Sequence, residues 1–220
     1  DGSTLQPLKN VQVSAAGVTG QTGSNGEVKL EHLKLGSTNL TIDKRAFASI
    51  KKPIVIGWGS NPLGKFRVSA VGAQYVFIIQ DFLSGKPIEK AELSSGEGNA
   101  VADKDGKVTL TLDNNGKTDD EILVISVSAE NYRTETIETK VGSKDSQTVK
   151  LVPARKHVFV SKRSGKYDIY TIDVDGKNEK KIISATGLER DNLALLPGNS
   201  GDRAALVASR ENVRNKDGYL

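Results

Sequence analysis

The sequence predicts an all-β chain: two tandem β-sandwich modules followed by a further antiparallel β segment. Three observations lead there. The first is a repeat at an offset of 80 residues, in which Asp1, Pro7, Val11, Val13, Gly26, Val28 and Leu30 answer to Asp81, Pro87, Ala91, Leu93, Gly106, Val108 and Leu110. The second is period-two alternation of apolar and polar residues, the signature of a half-buried strand. The third is the punctuation. Asn-Gly and Asp-Gly pairs recur at short intervals and supply the positive φ that tight hairpins demand, and no amphipathic helical stretch of useful length intervenes.

The elements follow in order. In residues 1–73, Val11, Val13 and Ala15 alternate as a strand, Ser24–Asn25–Gly26 turns the chain, and Phe66, Val68 and Ala70 predict another strand. In residues 74–153, the apolar run from Tyr75 to Ile79 is strand-sized, and Ser84–Gly85–Lys86–Pro87, Asp105–Gly106 and Asn114–Asn115–Gly116 mark turns. Val108, Leu110 and Leu112 alternate. Ile122–Leu123–Val124–Ile125 is continuous, as expected of a strand buried on both faces. Past the acidic stretch 113–121 the repeat resumes at an offset of 85, with Leu40, Ile42 and Phe47 answering to Ile125, Val127 and Tyr132. The second copy therefore gains about five residues there, in a loop, where insertions cost least. Residues 154–220 carry a new texture, with a turn at Asp175–Gly176.

Composition narrows the classes. At 220 residues, with 36% hydrophobic and 26% charged residues, the chain suits two or three globular domains. With only 5% aromatics, the cores must be mostly aliphatic. No apolar run reaches membrane-span length. There is no cysteine, which excludes disulfides and zinc-thiolate sites. There is no methionine either, even at position 1, so a processed chain or a fragment is expected, with any signal peptide or anchor lying upstream. The net charge of +4 divides as +5 over residues 1–73, −5 over 74–153 and +4 over 154–220. Oppositely charged neighbours favour a fixed arrangement, within the roughly 10 Å reach of charges at ordinary salt. No basic stripe interleaved with aromatics points to nucleic acid.

Residues 81–94, 102–112 and 124–138 together (DFLSGKPIEKAELS, ADKDGKVTLTL, VISVSAENYRTETIE) resemble the carboxypeptidase regulatory-like domain. Asn131 stands where that family has Gly before Tyr132, a mild departure because Asn tolerates left-handed backbone. The resemblance implies an Ig-like or transthyretin-like β-sandwich. The first copy is a weaker match, and PEGA domains and collagen-adhesin B-type repeats share the pattern. From Lys156, Val158–Arg163, Gly165, Asp168–Ile169–Tyr170 and Asp173–Val174–Asp175–Gly176 resemble a blade of a TolB-like β-propeller. Leu196–Gly201 and Ala205–Arg210 are similar to the opening of a second blade. A propeller closes with about four to eight blades, so either more blades follow Leu220 or the segment forms a plain antiparallel sheet.

Few residues offer chemistry. His32 and His157 lack partners at catalytic or zinc spacing, and no HExxH or GxSxG occurs. They are expected at the surface. Asp103–Lys104–Asp105–Gly106 and Asp173–Val174–Asp175–Gly176 start like calcium loops, but position 12 is Asn114 in one and Ser184 in the other, not Glu. Both are expected to be hairpin turns. Lys90 and Asn131 are conceivable members of a Lys–Asn isopeptide bond of the adhesin kind, although no motif selects them. Trp58, the only tryptophan, lies in Gly57–Trp58–Gly59–Ser60–Asn61–Pro62. More often such a residue plugs a sandwich end or a joint. Exposed, it stacks on a sugar or a partner side chain.

These readings converge on a non-catalytic interaction region with Trp58 as its candidate binding residue, no catalytic residue, no metal and no cofactor. The resemblances imply an extracytoplasmic scaffold, periplasmic, secreted or held at the cell envelope, whose sandwiches present a propeller-like segment to a protein or envelope partner. Two alternatives stand beside it: an accessory region of a larger secreted hydrolase, and a carbohydrate-binding module centred on Trp58.

Overall fold

A computed structural model describes residues 1–186, 194–198 and 203–208. Among these the protein is all-β, with no helix. It divides into two units, Asp1–Leu151 and Val152–Leu220.

The first unit holds both copies of the repeat. The first copy forms strands β1 (Gln12–Ala15), β2 (Val18–Gln21), β3 (Gly36–Asp43) and β4 (Ile50–Ile56), in one antiparallel sheet of order β2-β1-β3-β4. The second forms β5 (Ala73–Asp81), β6 (Glu92–Ser94), β7 (Asn99–Val101), β8 (Lys107–Leu112), β9 (Ile122–Ser128), β10 (Glu135–Lys140) and β11 (Gln147–Leu151). Its four-stranded sheet has the order β10-β9-β6-β7, the first copy's order strand for strand. Even the register repeats: Gln12 faces Asp43 and Val13 faces Ile42, as Glu92 faces Ser128 and Leu93 faces Val127.

The turns repeat as closely. The Asp1 carboxylate accepts the Ser3 and Thr4 N–H groups, and the Asp81 carboxylate accepts those of Leu83 and Ser84. Ala46 and Asn131 both hold left-handed backbone, at φ 67° and 65°. Gly26 and Gly106, at φ 73° and 72°, abut Pro7 and Pro87, so closely that an added Cβ would lie 2.8 and 3.0 Å from the proline Cβ. Glycine is needed at both on two counts, conformation and space.

The copies differ in their second layer. In the second copy a three-stranded sheet, β11-β5-β8, packs face to face on the four-stranded one. Tyr75, Phe77 and Ile79 of the central β5 enter the core with Val108, Leu110, Ile125, Val127 and Leu151. The first copy has no such sheet. Its core of Val11, Val13, Ala15, Leu40, Ile42, Phe47 and Val68 is covered by irregular chain carrying Leu8, Val28, Leu30, Leu33 and Phe66. The strand expected at Phe66–Ala70 is therefore absent. Its alternation does turn Phe66, Val68 and Ala70 inward, but with no strand alongside, only Ala70 forms a bridge, to Phe47. At the offset of 80, the positions that would match Ala73–Gln80, the body of β5, fall ahead of Asp1.

A second expectation is corrected at β9. Leu123 and Ile125 are buried, but Ile122 and Val124 are exposed. The continuous apolar run is a one-faced strand, because none of the described residues covers Ile122 and Val124 on the outer side of that sheet.

In the second unit, β12 (Lys156–Ser161), β13 (Asp168–Asp173) and β14 (Lys180–Ile183) form an antiparallel sheet in that order. Phe159 and Tyr170 stack on it at 5.6 Å between ring centroids. The Arg163 guanidinium lies 3.9 Å from the Tyr170 ring centre and grips Glu179 with two nitrogens. β15 (Ala194–Pro197) and β16 (Ala204–Val207) pair as a hairpin. Of the stretches likened to a second blade, Asn199, Ser200, Gly201, Ser209 and Arg210 lie outside the described residues.

Candidate functional site

Where the first copy has only irregular chain over its sheet, a cleft of about 1750 Å³ opens. Its floor is the inner face of β1, β3 and β4, with Val13, Leu40, Ile42 and Ile54. One wall is the segment around Val28 and Leu30, the other the segment around Lys65, Phe66 and Arg67. Val28 and Leu30 can lie over β2 because position 20 is glycine, where an added Cβ would meet them at 2.9 and 2.8 Å.

Trp58 stands at the rim of this cleft. It does not plug anything: its side chain is 91% exposed. A side chain of this size left in water is the informative exception among apolar residues. The turn beneath it is built. The Asn61 carboxamide oxygen accepts the Gly57 N–H at 2.9 Å, and its amide donates to the Gly57 and Gly59 carbonyls at 3.1 and 3.0 Å. Gly59 supplies the positive φ of 79° that closes the turn. Asn61 thus fixes the loop that displays Trp58. Sequence reading singles out Trp58 but not Asn61, because an Asn-Pro pair marks a turn without saying what it holds.

The far end of the same sheet meets the second copy. Gly36 pairs with Ile56 at the Trp58 end of the β3–β4 hairpin, and Ile42 with Ile50 at the other, where the chain enters the Lys44–Ala46 turn. The Ala46 carbonyl accepts the Val71 and Gly72 N–H groups at 2.9 and 3.0 Å. Position 72 has no room for a side chain, since an added Cβ would sit 2.3 Å from the Leu112 carbonyl oxygen and 2.7 Å from the Ala46 Cβ. Around this clasp the opposite charges of the copies meet. Lys9 pairs with Glu92 at 3.1 Å, and Arg45 with Asp113 at 3.5 Å and Glu97 at 3.9 Å. Lys44 donates to the Lys9 carbonyl at 2.8 Å and the Asn99 side chain at 3.1 Å. Burial with neutral acceptors lowers its pKa below the usual lysine value. The acidic loop 113–121 is thus partly tied down: Asp113 binds Arg45, Asn114 donates to the buried Tyr75 hydroxyl, and Lys117 binds Glu97 at 2.8 Å.

His32 also borders the cleft. His32, at a positive φ of 58°, and His157 are both exposed. Asp103–Gly106 and Asp173–Gly176 are tight turns, each with the glycine N–H bonded to the first aspartate's carbonyl. The second is the expected hairpin, between β13 and β14, whereas the first joins β7 to β8 of a different sheet and so is not a hairpin. Lys90 and Asn131 are both exposed, and Lys90 pairs with Glu89. This is no setting for an isopeptide bond, which needs the pair buried beside an acid. Among the described residues no group of three or more His, Asp or Glu side chains lies close enough to hold a metal ion.

Two buried carboxylates bracket β13. Asp168 accepts the Ala185 N–H at 2.8 Å, the Ser164 hydroxyl at 2.8 Å and the Lys181 ammonium at 3.4 Å, which hold its pKa down to about 2. Asp173 accepts from Asn178 at 2.7 Å and pairs with Lys156. Both are saturated by partners that fix loops, so they serve the fold of this sheet.

Comparison of the chain with known protein families, with curated proteins and with solved structures gives no match.

Proposed function

We propose that this chain is a non-catalytic, extracytoplasmic interaction region. In this reading two modules of the carboxypeptidase regulatory-like kind, the second with two packed sheets and the first with one sheet under irregular chain, set a fixed spacing, and a TolB-like propeller segment follows them to meet a protein or envelope partner. The extracytoplasmic setting and the propeller rest on sequence resemblance.

The observation that carries the spacer reading is the joint. No linker separates the two copies. The Ala46 carbonyl, Gly72 and the Lys9–Glu92 and Arg45–Asp113 pairs tie them directly. Trp58 lies past the opposite end of a seven-residue strand, roughly 20 Å away at about 3.3 Å per residue. A scaffold that spaces and orients needs such a stiff joint at one end and a displayed group at the other.

The absence of native cysteine makes the test clean. Spin labels on Lys51→Cys in the first module and Lys104→Cys in the second should give one narrow distance distribution. A broad distribution, as from a flexible tether, would contradict the spacer role. Reproducible peptidase or glycosidase turnover by the purified chain would contradict the non-catalytic reading.

The 91% exposure of Trp58 favours one second reading, a platform for sugar. Quenching or a shift of its fluorescence by members of a glycan panel supports it. A silent panel removes it.

A further inference from the structure

The cleft of the first module is bounded by the same kinds of elements that hold a strand in the second. In the second module, β5 lies between β8, antiparallel to it, and β11, parallel to it. Both neighbours have counterparts beside the cleft. Val28 and Leu30 match Val108 and Leu110 at the offset of 80. On the other side, Gly2 N–H bonds the Val68 carbonyl at 2.8 Å as Phe82 N–H bonds the Leu151 carbonyl at 2.9 Å, which equates Phe66 and Val68 with Val149 and Leu151 of β11.

These two walls have edges of unpaired backbone. Among the hydrogen bonds of the described residues, none involves the backbone N–H or C=O of Val28, Lys29, Leu30, Lys65, Phe66 or Arg67. Their counterparts in β8 and β11 are paired with β5 residue by residue. The Leu8 N–H likewise has no acceptor among the described residues, whereas its counterpart Ile88 N–H bonds the Ile79 carbonyl at 3.0 Å. Backbone groups left without partners over an apolar floor are a template for strand addition.

We propose that this cleft is a strand-acceptor groove, and that its occupant is an extended polypeptide strand joined to Asp1, with large apolar side chains at alternate positions, seated as β5 is seated in the second module. The point of entry comes from Asp1 itself. Its amino group donates to the Gln6 carbonyl at 3.0 Å, the bond that the mid-chain Asp81 N–H makes to Lys86 at 2.8 Å. The terminal amine therefore stands where a peptide N–H belongs, and it borders the cleft. Its partial burial, with Arg67 nearby, lowers its pKa, as expected of a charge in a place suited to an amide. The side-chain preference comes from β5, whose Tyr75, Phe77 and Ile79 fill the equivalent space at 3%, 1% and 0% exposure. The inference is independent of any role for Trp58.

The test uses the protein's own strand. The sequence of residues 73–80 is fused directly ahead of Asp1, recreating the Gln80–Asp81 junction. Amide exchange at Val28–Leu30 and Lys65–Arg67 should slow by roughly 100-fold or more, as for strands inside a cooperative sheet, and hydrophobic-dye binding should fall. A second extension with Val at its three core positions should protect equally, which guards against misfolding from bulky aromatics. An extension with Ser at those positions should not protect. Unchanged exchange with both apolar extensions, while β9 and β10 stay protected as a folding control, would overturn the proposal. The same peptide added free at equal concentration should protect far less. Equal protection by the free peptide would assign the groove to a partner's strand and overturn the assignment to a strand joined to Asp1.

Discussion

The Tyr132 hydroxyl donates to the Asp81 carboxylate at 3.1 Å, tying the β9–β10 turn of the second module to its first turn. The equivalent pair in the first module is Asp1 and Phe47, which has no hydroxyl to give. Tyr132→Phe should therefore destabilise the second module by about 1 kcal/mol, the usual net worth of such a bond, read by chemical denaturation at pH 7. The pH dependence has a defined sign. Hydrogen bonds from the Ser84 N–H and hydroxyl, with smaller help from Tyr132 and Leu83, lower the Asp81 pKa below its ordinary 3.8. A depressed folded pKa contributes stability that is present above 3.8 and lost as pH falls through the folded value. Asp81→Ala should flatten the acid limb of the stability curve.

Gly72 tests the joint. Gly72→Ala would drive a Cβ to within 2.3 Å of a main-chain oxygen that cannot swing aside. A loss of about 1–3 kcal/mol is expected, as for other forced overpacking. Gly96→Ala, with nothing within 4 Å of the added atom, is the control, and should stay within about 0.5 kcal/mol. A silent Gly72→Ala would mean that the two modules do not clasp there.

Asp168 should titrate near 2, held there first by the Ala185 N–H, then by Ser164 and Lys181. Its folded pKa is depressed, so its contribution to the second unit is complete above 3.8 and fades as pH falls towards 2. A carboxyl NMR titration of Asp168 checks this directly. A midpoint near 4 would contradict the network.

Trp58→Ala should leave stability within about 0.5 kcal/mol, as for surface positions free of special contacts. Trp58 emission should be that of a water-exposed indole, open to iodide quenching. Asn61→Ala should leave the emission exposed but release the turn, which would appear as faster fluorescence depolarisation.

Much of this architecture is legible in the residues. The matched series from Asp1/Asp81 to Leu30/Leu110 predicts repeated turns and strands, and the charge split of +5 and −5 anticipates the Lys9–Glu92 and Arg45–Asp113 contacts. The rest depends on neighbours that the local sequence does not specify. Phe66, Val68 and Ala70 alternate like a strand, yet a strand exists only if another lies beside it. Ile122 to Ile125 reads as doubly buried, but alternation is hidden when both faces carry apolar residues. Trp58 is identifiable as singular, whereas its exposure depends on tertiary structure.

One framework is used twice, closed by β5 in the second module and open in the first. Residue-resolved hydrogen exchange of the unmodified chain measures this most directly. Val108, Leu110, Val149 and Leu151 should be strongly protected. Their counterparts Val28, Leu30, Phe66 and Val68 should exchange close to the rate of unstructured chain, except where a donor to a carbonyl, as Gly2 N–H is to the Val68 carbonyl, orders the backbone. Comparable protection in both sets would show that the first module is already closed and would contradict the account.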